Sequence, residues 1–241
     1  MISIIDAHAH LWLNVDTVVN GSPIHALEPN RSRSLFFGEE RQMLPPYMID
    51  GQNTAERFLS NMDYAQVSAA VITQEFIDGL QNSYLLQVQQ RYPDRFFCFG
   101  MPELRNPGFC DEAKRLIAQG FRGIKVPAAR LPQQFLNDEM MQMFHYIEQH
   151  NIILGIELMD GDAQVAQMEA VIHECPQLKL PLVTSVWSHV RTGCRRYVLL
   201  AMRMSTLRVV ASHGFSTTNS IPILQPSRPS RRLPMRWGGT S

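Results

Sequence analysis

Apolar positions along the chain alternate between two periods. Strand-length apolar runs fall at residues 3–7, Ser68–Thr73, Arg95–Gly100, Phe121–Val126 and Ile152–Leu158. Between them lie segments with helical spacing. Phe58, Leu59, Met62 and Ala65 mark the first, begun by a capping-box pair, Asn53 with Glu56. Leu85, Leu86 and Val88 mark a second, over 81–91 and stopped at Pro93. Ala113, Leu116 and Ile117 give Phe109–Gln119 an inward stripe, Asn137 caps a helix running to His150, and Asp162 caps one carrying Val165, Met168, Ile172 and Cys175. Five β/α units in series predict a parallel sheet, with functional groups at the carboxyl ends of its strands.

Two stretches break the alternation. From about Leu13 to Gly51, Pro23, Pro29, Pro45 and Pro46 interrupt any regular element, which predicts a long loop covering the sheet's carboxyl edge. After Leu180 neither period persists, and the chain runs into Pro-Ser-Arg-Pro-Ser-Arg-Arg-Leu-Pro.

Composition sharpens that second break. A length of 241 residues suits one domain with one core, and the formal net charge is zero. That zero hides an asymmetry: residues 181–241 hold nine of the 22 basic residues, all Arg, and none of the 22 acids. The body is therefore acidic, which disfavours a nucleic-acid partner. Cys98, Cys110, Cys175 and Cys194 follow no metal-ribbon or redox spacing and read as reduced, mostly buried thiols. With no secretory signal before the first strand and no membrane-length apolar window, a soluble cytoplasmic protein is expected. The expected partner is a small-molecule substrate, with no nucleic acid and no membrane; a homo-oligomer is open.

Chemistry concentrates in Asp6-Ala7-His8-Ala9-His10-Leu11-Trp12. Alternate side chains of a strand share a face, so His8 and His10 present two imidazoles to one point, the geometry of a divalent-ion site. A hydrogen-bonded histidine pair at a strand end is the bland alternative. No phosphate cradle, nucleophile elbow or Cys/His nucleophile pattern appears, so covalent catalysis is disfavoured.

This motif resembles the amidohydrolase superfamily, in its amidohydrolase-related branch of metal-dependent barrel hydrolases, over residues 2–180. That branch includes sugar-acid lactonases, pyrone-dicarboxylate lactonase and aromatic-acid decarboxylases. TatD-type nucleases and some phosphoesterases also begin with paired histidines; Trp12 and the order of later elements favour the first assignment. The resemblance implies an α/β fold of TIM type, a (β/α) barrel, here incomplete with about five units. It also implies a divalent ion, zinc or else manganese, completed by groups on strands five or six and an Asp on strand eight. The implied activity is hydrolysis of a small cyclic ester or amide, a sugar-acid lactone first, with non-oxidative decarboxylation of an aromatic or unsaturated acid as the alternative and a TatD-like nuclease as the second.

Candidate residues follow from strand ends. Glu157 is either a third metal ligand or an ion-pair partner of Lys125, and Asp160 lies just beyond it as a candidate catalytic carboxylate. Lys125 is placed to hold a substrate carboxylate or a developing oxyanion, and a carboxylated metal-bridging role or a structural ion pair is also open. Trp12, Gln74 and the loop residue His25 are candidate substrate contacts, with Glu75 and Glu103 as further ones. His145, His150 and His173 fall on helices, where surface or capping roles are the default.

The composition break at 180 divides the chain into a barrel portion, 1–180, and an atypical Arg/Ser-rich portion, 181–241. Pro181–Gly193 can be encoded so that the same bases, begun at the last base of the Pro181 codon, spell Ile-Gly-His-Phe-Gly-Met-Val-Thr-Arg-Pro-Asp-Trp. Such a Gly-His falls where the resembling family carries its next active-site histidine, on strand six. The segment therefore reads as an out-of-frame translation, poorly ordered and without a role for His189 or His213, and the chain as written is expected to be weakly active or inactive.

Overall fold

A computed structural model describes residues 4–158 and 162–180. Its main body is a five-stranded parallel sheet in the order β1 (Ile5–His10), β6 (Ala69–Thr73), β7 (Phe96–Gly100), β8 (Gly123–Val126) and β9 (Ile153–Ile156). Helices α1 (Ala55–Tyr64), α2 (Asn82–Arg91), α3 (Phe109–Gln119), α4 (Asp138–Gln149) and α5 (Asp162–Glu174) follow these strands in turn. Strand order follows chain order throughout, so the fold is α/β and has the arrangement of a partial TIM-type barrel.

The segment expected to be an irregular loop is instead a four-stranded antiparallel sheet. Its strands are β2 (Asp16–Val19), β3 (Ser22–Ala26), β4 (Arg33–Phe36) and β5 (Glu39–Gln42). Two tight turns build it. Asn20-Gly21 joins β2 to β3 and Phe37-Gly38 joins β4 to β5, with all four residues at positive φ (51°, 77°, 53° and 85°). Such paired left-handed residues match the twist of the flanking strands, and Asn-Gly is the strongest short signal for it. Pro23 is accommodated because it faces only Val18; pairing of β3 with β4 begins one residue later, at Ile24.

At the start of α1 the capping residue is Thr54, whose hydroxyl accepts from Arg57 N, and not Asn53. Asn53 instead closes the base of the insertion: its backbone pairs with Trp12 and its side-chain amide donates to the His10 carbonyl at 2.7 Å. Asn137 caps α4 as the sequence predicts, accepting from Met140 N at 2.8 Å.

Inside the sheet, β7, β8 and β9 pack through a large-to-small fit. A Cβ added at Gly123 would lie 2.7 Å from the Phe99 ring and 2.9 Å from Phe97, and one at Gly155 would lie 2.9 Å from Phe99. Alternation puts Gly123 with Lys125, and Gly155 with Glu157, on that same face. Phe99 is thus a buried floor beneath the ionic groups described below. Cys98, Cys110 and Cys175 are buried and free. No helix among the described residues is long and apolar enough to cross a membrane. The expectations for residues 181–241, including Cys194, His189 and His213, fall outside the described residues, as does Asp160.

Crowding at Gly123 yields a direct test. Gly123→Ala should cost about 1–3 kcal/mol, because the Phe99 ring must leave its position to admit one methyl group. Urea denaturation of the two proteins checks this, and an unchanged midpoint would show that the ring shifts freely.

Candidate functional site

Parallel strands send their carboxyl ends to one edge, and the described side chains with catalytic chemistry gather there. In β1 the register slips between Asp6 and Ala9: Asp6 faces Ala70 while Ala9 faces Ile72. The extra residue is a bulge, a feature that re-aims side chains. The Asp6 carboxylate accepts from His8 N at 3.1 Å, and His8 Nε2 comes within 3.0 Å of His10 Nε2. Thr73 Oγ1, on the neighbouring β6, lies 3.4 Å from His8 Nε2.

The other side of His10 is also held. Its Nδ1 lies 3.1 Å from Asp78 Oδ2, in a 3-10 turn, Phe76–Asp78, that follows β6. A carboxylate on Nδ1 fixes the proton there and leaves Nε2 with its lone pair outward, the usual support for a metal-binding histidine. Two zinc–nitrogen bonds at a tetrahedral angle place their nitrogens about 3.3 Å apart, so the 3.0 Å approach fits a shared ion. No third His, Cys, Asp or Glu among the described residues joins the pair in a group with all donor atoms within 4.8 Å of one another.

Lys125 is the centre of a second group. It is 2% exposed, ends β8, and places Nζ 3.2 Å from Glu157 Oε2 and 3.6 Å from Glu75 Oε1. Arg130, in the 3-10 turn Ala128–Arg130, stands 3.8 Å from the other Glu75 oxygen. Of the two readings open for Glu157, the structure displays the ion pair with Lys125. For Lys125, too, the structure displays the ion pair that the sequence left open, its ammonium lying between two carboxyl groups.

Both Glu75 carboxyl oxygens are buried without a hydrogen bond inside normal distance. Burial first, and then the neighbouring Glu157 carboxylate, push the Glu75 carboxyl up from 4.5 to about 9, against the pull of Lys125 and Arg130. Burial and Glu157 therefore favour the protonated form of Glu75, which is set beside an ion pair at the sheet's carboxyl edge. Sequence position marked it only as a further candidate, since nothing in the string shows that Lys125 and Glu157 converge on it.

Three candidate substrate contacts are held by partners within the chain. The Gln74 amide is 1% exposed and fully used: it donates to Asn82 Oδ1 (2.9 Å) and the Phe99 carbonyl (2.7 Å) and accepts from Gln81 N (2.7 Å). The Trp12 indole N–H donates to the Gly51 carbonyl at 2.9 Å, tying down the end of the insertion. Glu103 grips Arg105 at 2.6 and 2.5 Å, which holds its carboxyl below the ordinary range. His25 sits on β3, opposite Asp16 and Leu35. Asp78 was invisible to sequence reading, because one aspartate in a Phe-Ile-Asp-Gly turn carries no pattern.

Together the partial β/α barrel and its edge-borne histidine pair define a protein of the metal-dependent barrel class. The chain matches the amidohydrolase family over residues 5–183 and belongs to that family. No curated protein matches it. Among solved structures it is similar to a probable 2-pyrone-4,6-dicarboxylic acid hydrolase from Acinetobacter baumannii with citric acid bound (20% identity, 74% of this chain, 57% of that one, TM-score 0.48). It is also similar to a zinc-bound amidohydrolase from Burkholderia multivorans (13%, 84% and 79%, 0.42). A third is the manganese-bound 5-carboxyvanillate decarboxylase of Novosphingobium aromaticivorans (21%, 42% and 34%, 0.34). The chain thus spans little more than half the length of the first of these.

Glu75 makes stability depend on pH in a defined direction. Between 4.5 and about 9 the folded chain keeps a proton there that the unfolded chain releases, so this group's contribution to stability falls as pH rises through that window. Glu75→Gln removes the titration while keeping the shape. Its urea midpoint should gain on that of the wild type as pH rises across the window, and a constant difference would contradict the assignment.

Proposed function

We propose that residues 1–180 are the metal-binding portion of a hydrolase that opens small cyclic esters or amides, a sugar-acid lactone foremost. The observation that carries this reading is the convergence of His8 and His10 Nε2 at 3.0 Å, with Asp78 behind His10, beside an acid and an ion pair on the same edge. His8 and His10 would hold a divalent ion of zinc class, which would supply a Lewis acid for a carbonyl and an activated water.

The chain's own residues cover the remaining needs. Asp78 keeps the proton of His10 on Nδ1. Glu75 holds a proton that a departing ring oxygen requires, and Glu157 with Lys125 provides the charged pair through which that proton is replaced. Phe99 closes the floor and excludes water from below. The same protonated Glu75 favours one second reading, decarboxylation, in which it protonates carbon after loss of CO2. A lactone panel run with CO2 detection separates the two.

We further propose that the segment from residue 181 is read out of frame. The family match ends at residue 183, where acids vanish from the sequence, and this supports the reading. One base inserted in the Pro181 codon writes Pro-Ile-Gly-His-Phe-Gly. The frame-restored chain should turn over lactones with bound metal, and the chain as written should show little or none; equal metal-dependent turnover by both would overturn it.

In the frame-restored protein, replacing both imidazoles, His8→Ala with His10→Ala, should remove the bound ion by elemental analysis. Turnover should fall by about 100-fold or more, beyond the loss typical of a supporting residue. Retention of both ion and activity would end the metal-centre reading.

A further inference from the structure

A different cluster lies on the outer helices, far in sequence from the edge residues. His145 and Glu148, three apart on α4, share a face with Cys175, the residue that follows α5. One donor atom from each lies within 4.8 Å of the other two. These three are the described His/Cys/Asp/Glu side chains that meet this condition.

Each ligand is already aimed. Glu174 Oε1 lies 2.9 Å from His145 Nε2, which holds the proton on that nitrogen and turns Nδ1 towards the Cys175 sulfur at 3.5 Å. Zinc–sulfur and zinc–nitrogen bonds at a tetrahedral angle set sulfur and nitrogen about 3.5 Å apart, the spacing found. Glu148 spends one oxygen on Gln177 N at 2.6 Å, and that bond fixes its carboxylate beside the thiol. The His145 side chain is 37% exposed, so an ion can arrive from solvent.

We propose that His145, Glu148 and Cys175 form a second divalent-ion site, of zinc class, that staples α4 to the end of α5. Sulfur, imidazole nitrogen and one carboxylate oxygen make a borderline-soft set, suited to zinc, cobalt or cadmium and not to magnesium or calcium. Binding exchanges the Cys175 thiol proton for the metal: the S–H bond breaks, the proton leaves to buffer, and sulfur donates its pair to the ion. A thiolate and a carboxylate then balance the two positive charges, and a fourth position stays open to water. This site is independent of the His8 and His10 reading.

The test is titration of the full, chelator-stripped chain with cobalt(II). A thiolate-to-cobalt charge-transfer band should appear in the wild type, saturate at one equivalent in His8→Ala with His10→Ala, and vanish in Cys175→Ser. His145→Ala and Glu148→Gln, both at partly exposed positions, should each weaken cobalt binding about tenfold or more. Absence of the band in the wild type, its survival in Cys175→Ser, or unchanged affinity in the other two variants would overturn the proposal.

Discussion

A single buried ammonium governs the carboxyl edge of this sheet. Lys125 cannot sit nearly sealed from water without counter-charge, because an unpaired buried cation costs several kcal/mol. Two glutamates from separate strand ends answer it. Burial, and the Glu157 carboxylate next to it, push the Glu75 carboxyl towards its protonated form against the pull of Lys125 and Arg130. The raised Glu75 carboxyl is thus a consequence of the convergence of strand ends that buries it beside Glu157. Backbone bonds from Ala129 N to the Glu157 carbonyl (2.8 Å) and from Glu157 N to the Val126 carbonyl (3.0 Å) hold the ends of β8 and β9 in place.

The histidine pair obeys a related logic with a different device. A regular strand would set the two rings on one face, but it would not close their nitrogens to 3.0 Å or choose a tautomer. The bulge between Asp6 and Ala9 and the Asp78 carboxylate do both. At 3.0 Å the two Nε2 atoms need a proton or a cation between them, because two lone pairs at that distance would repel.

Much of the framework was legible because parallel strands buried on both faces write continuous apolar runs, and amphipathic helices write a stripe. The five strands and five helices of the main body stand where those runs predict, within a few residues. His8 and His10 were legible for the same reason, being two residues apart on one strand. The antiparallel insertion was missed because four prolines outweighed the Asn20-Gly21 turn signal, although Pro23 sits where only one neighbour needs pairing. Gln74 and Trp12 looked functional by position, yet Gln74 is engaged by Gln81, Asn82 and Phe99, and the Trp12 indole by the Gly51 carbonyl. Glu75 and Asp78 gain their roles from neighbours on other elements, and no local pattern records such contacts.

The insertion also has a consequence for the histidine pair. Its first strand packs against the turn that bears Asp78. Gly79, directly after that aspartate, holds φ at 72°, and a Cβ there would lie 3.4 Å from the Asp16 carbonyl of β2. Gln81 donates to the Asn14 carbonyl at 3.1 Å and to the Asp78 carbonyl at 2.9 Å, and Arg105 donates to the Val18 carbonyl at 2.8 Å while lying over the Phe76 ring. These contacts clamp the turn from two sides. Phe76 anchors the start of the turn in the core, while Asp78 at its end relies on these neighbours, and a loose Asp78 would leave His10 free to change tautomer. The antiparallel sheet therefore acts as a brace for the carboxylate that orients His10, which gives a structural reason for an insertion between the first strand of the sheet and its helix.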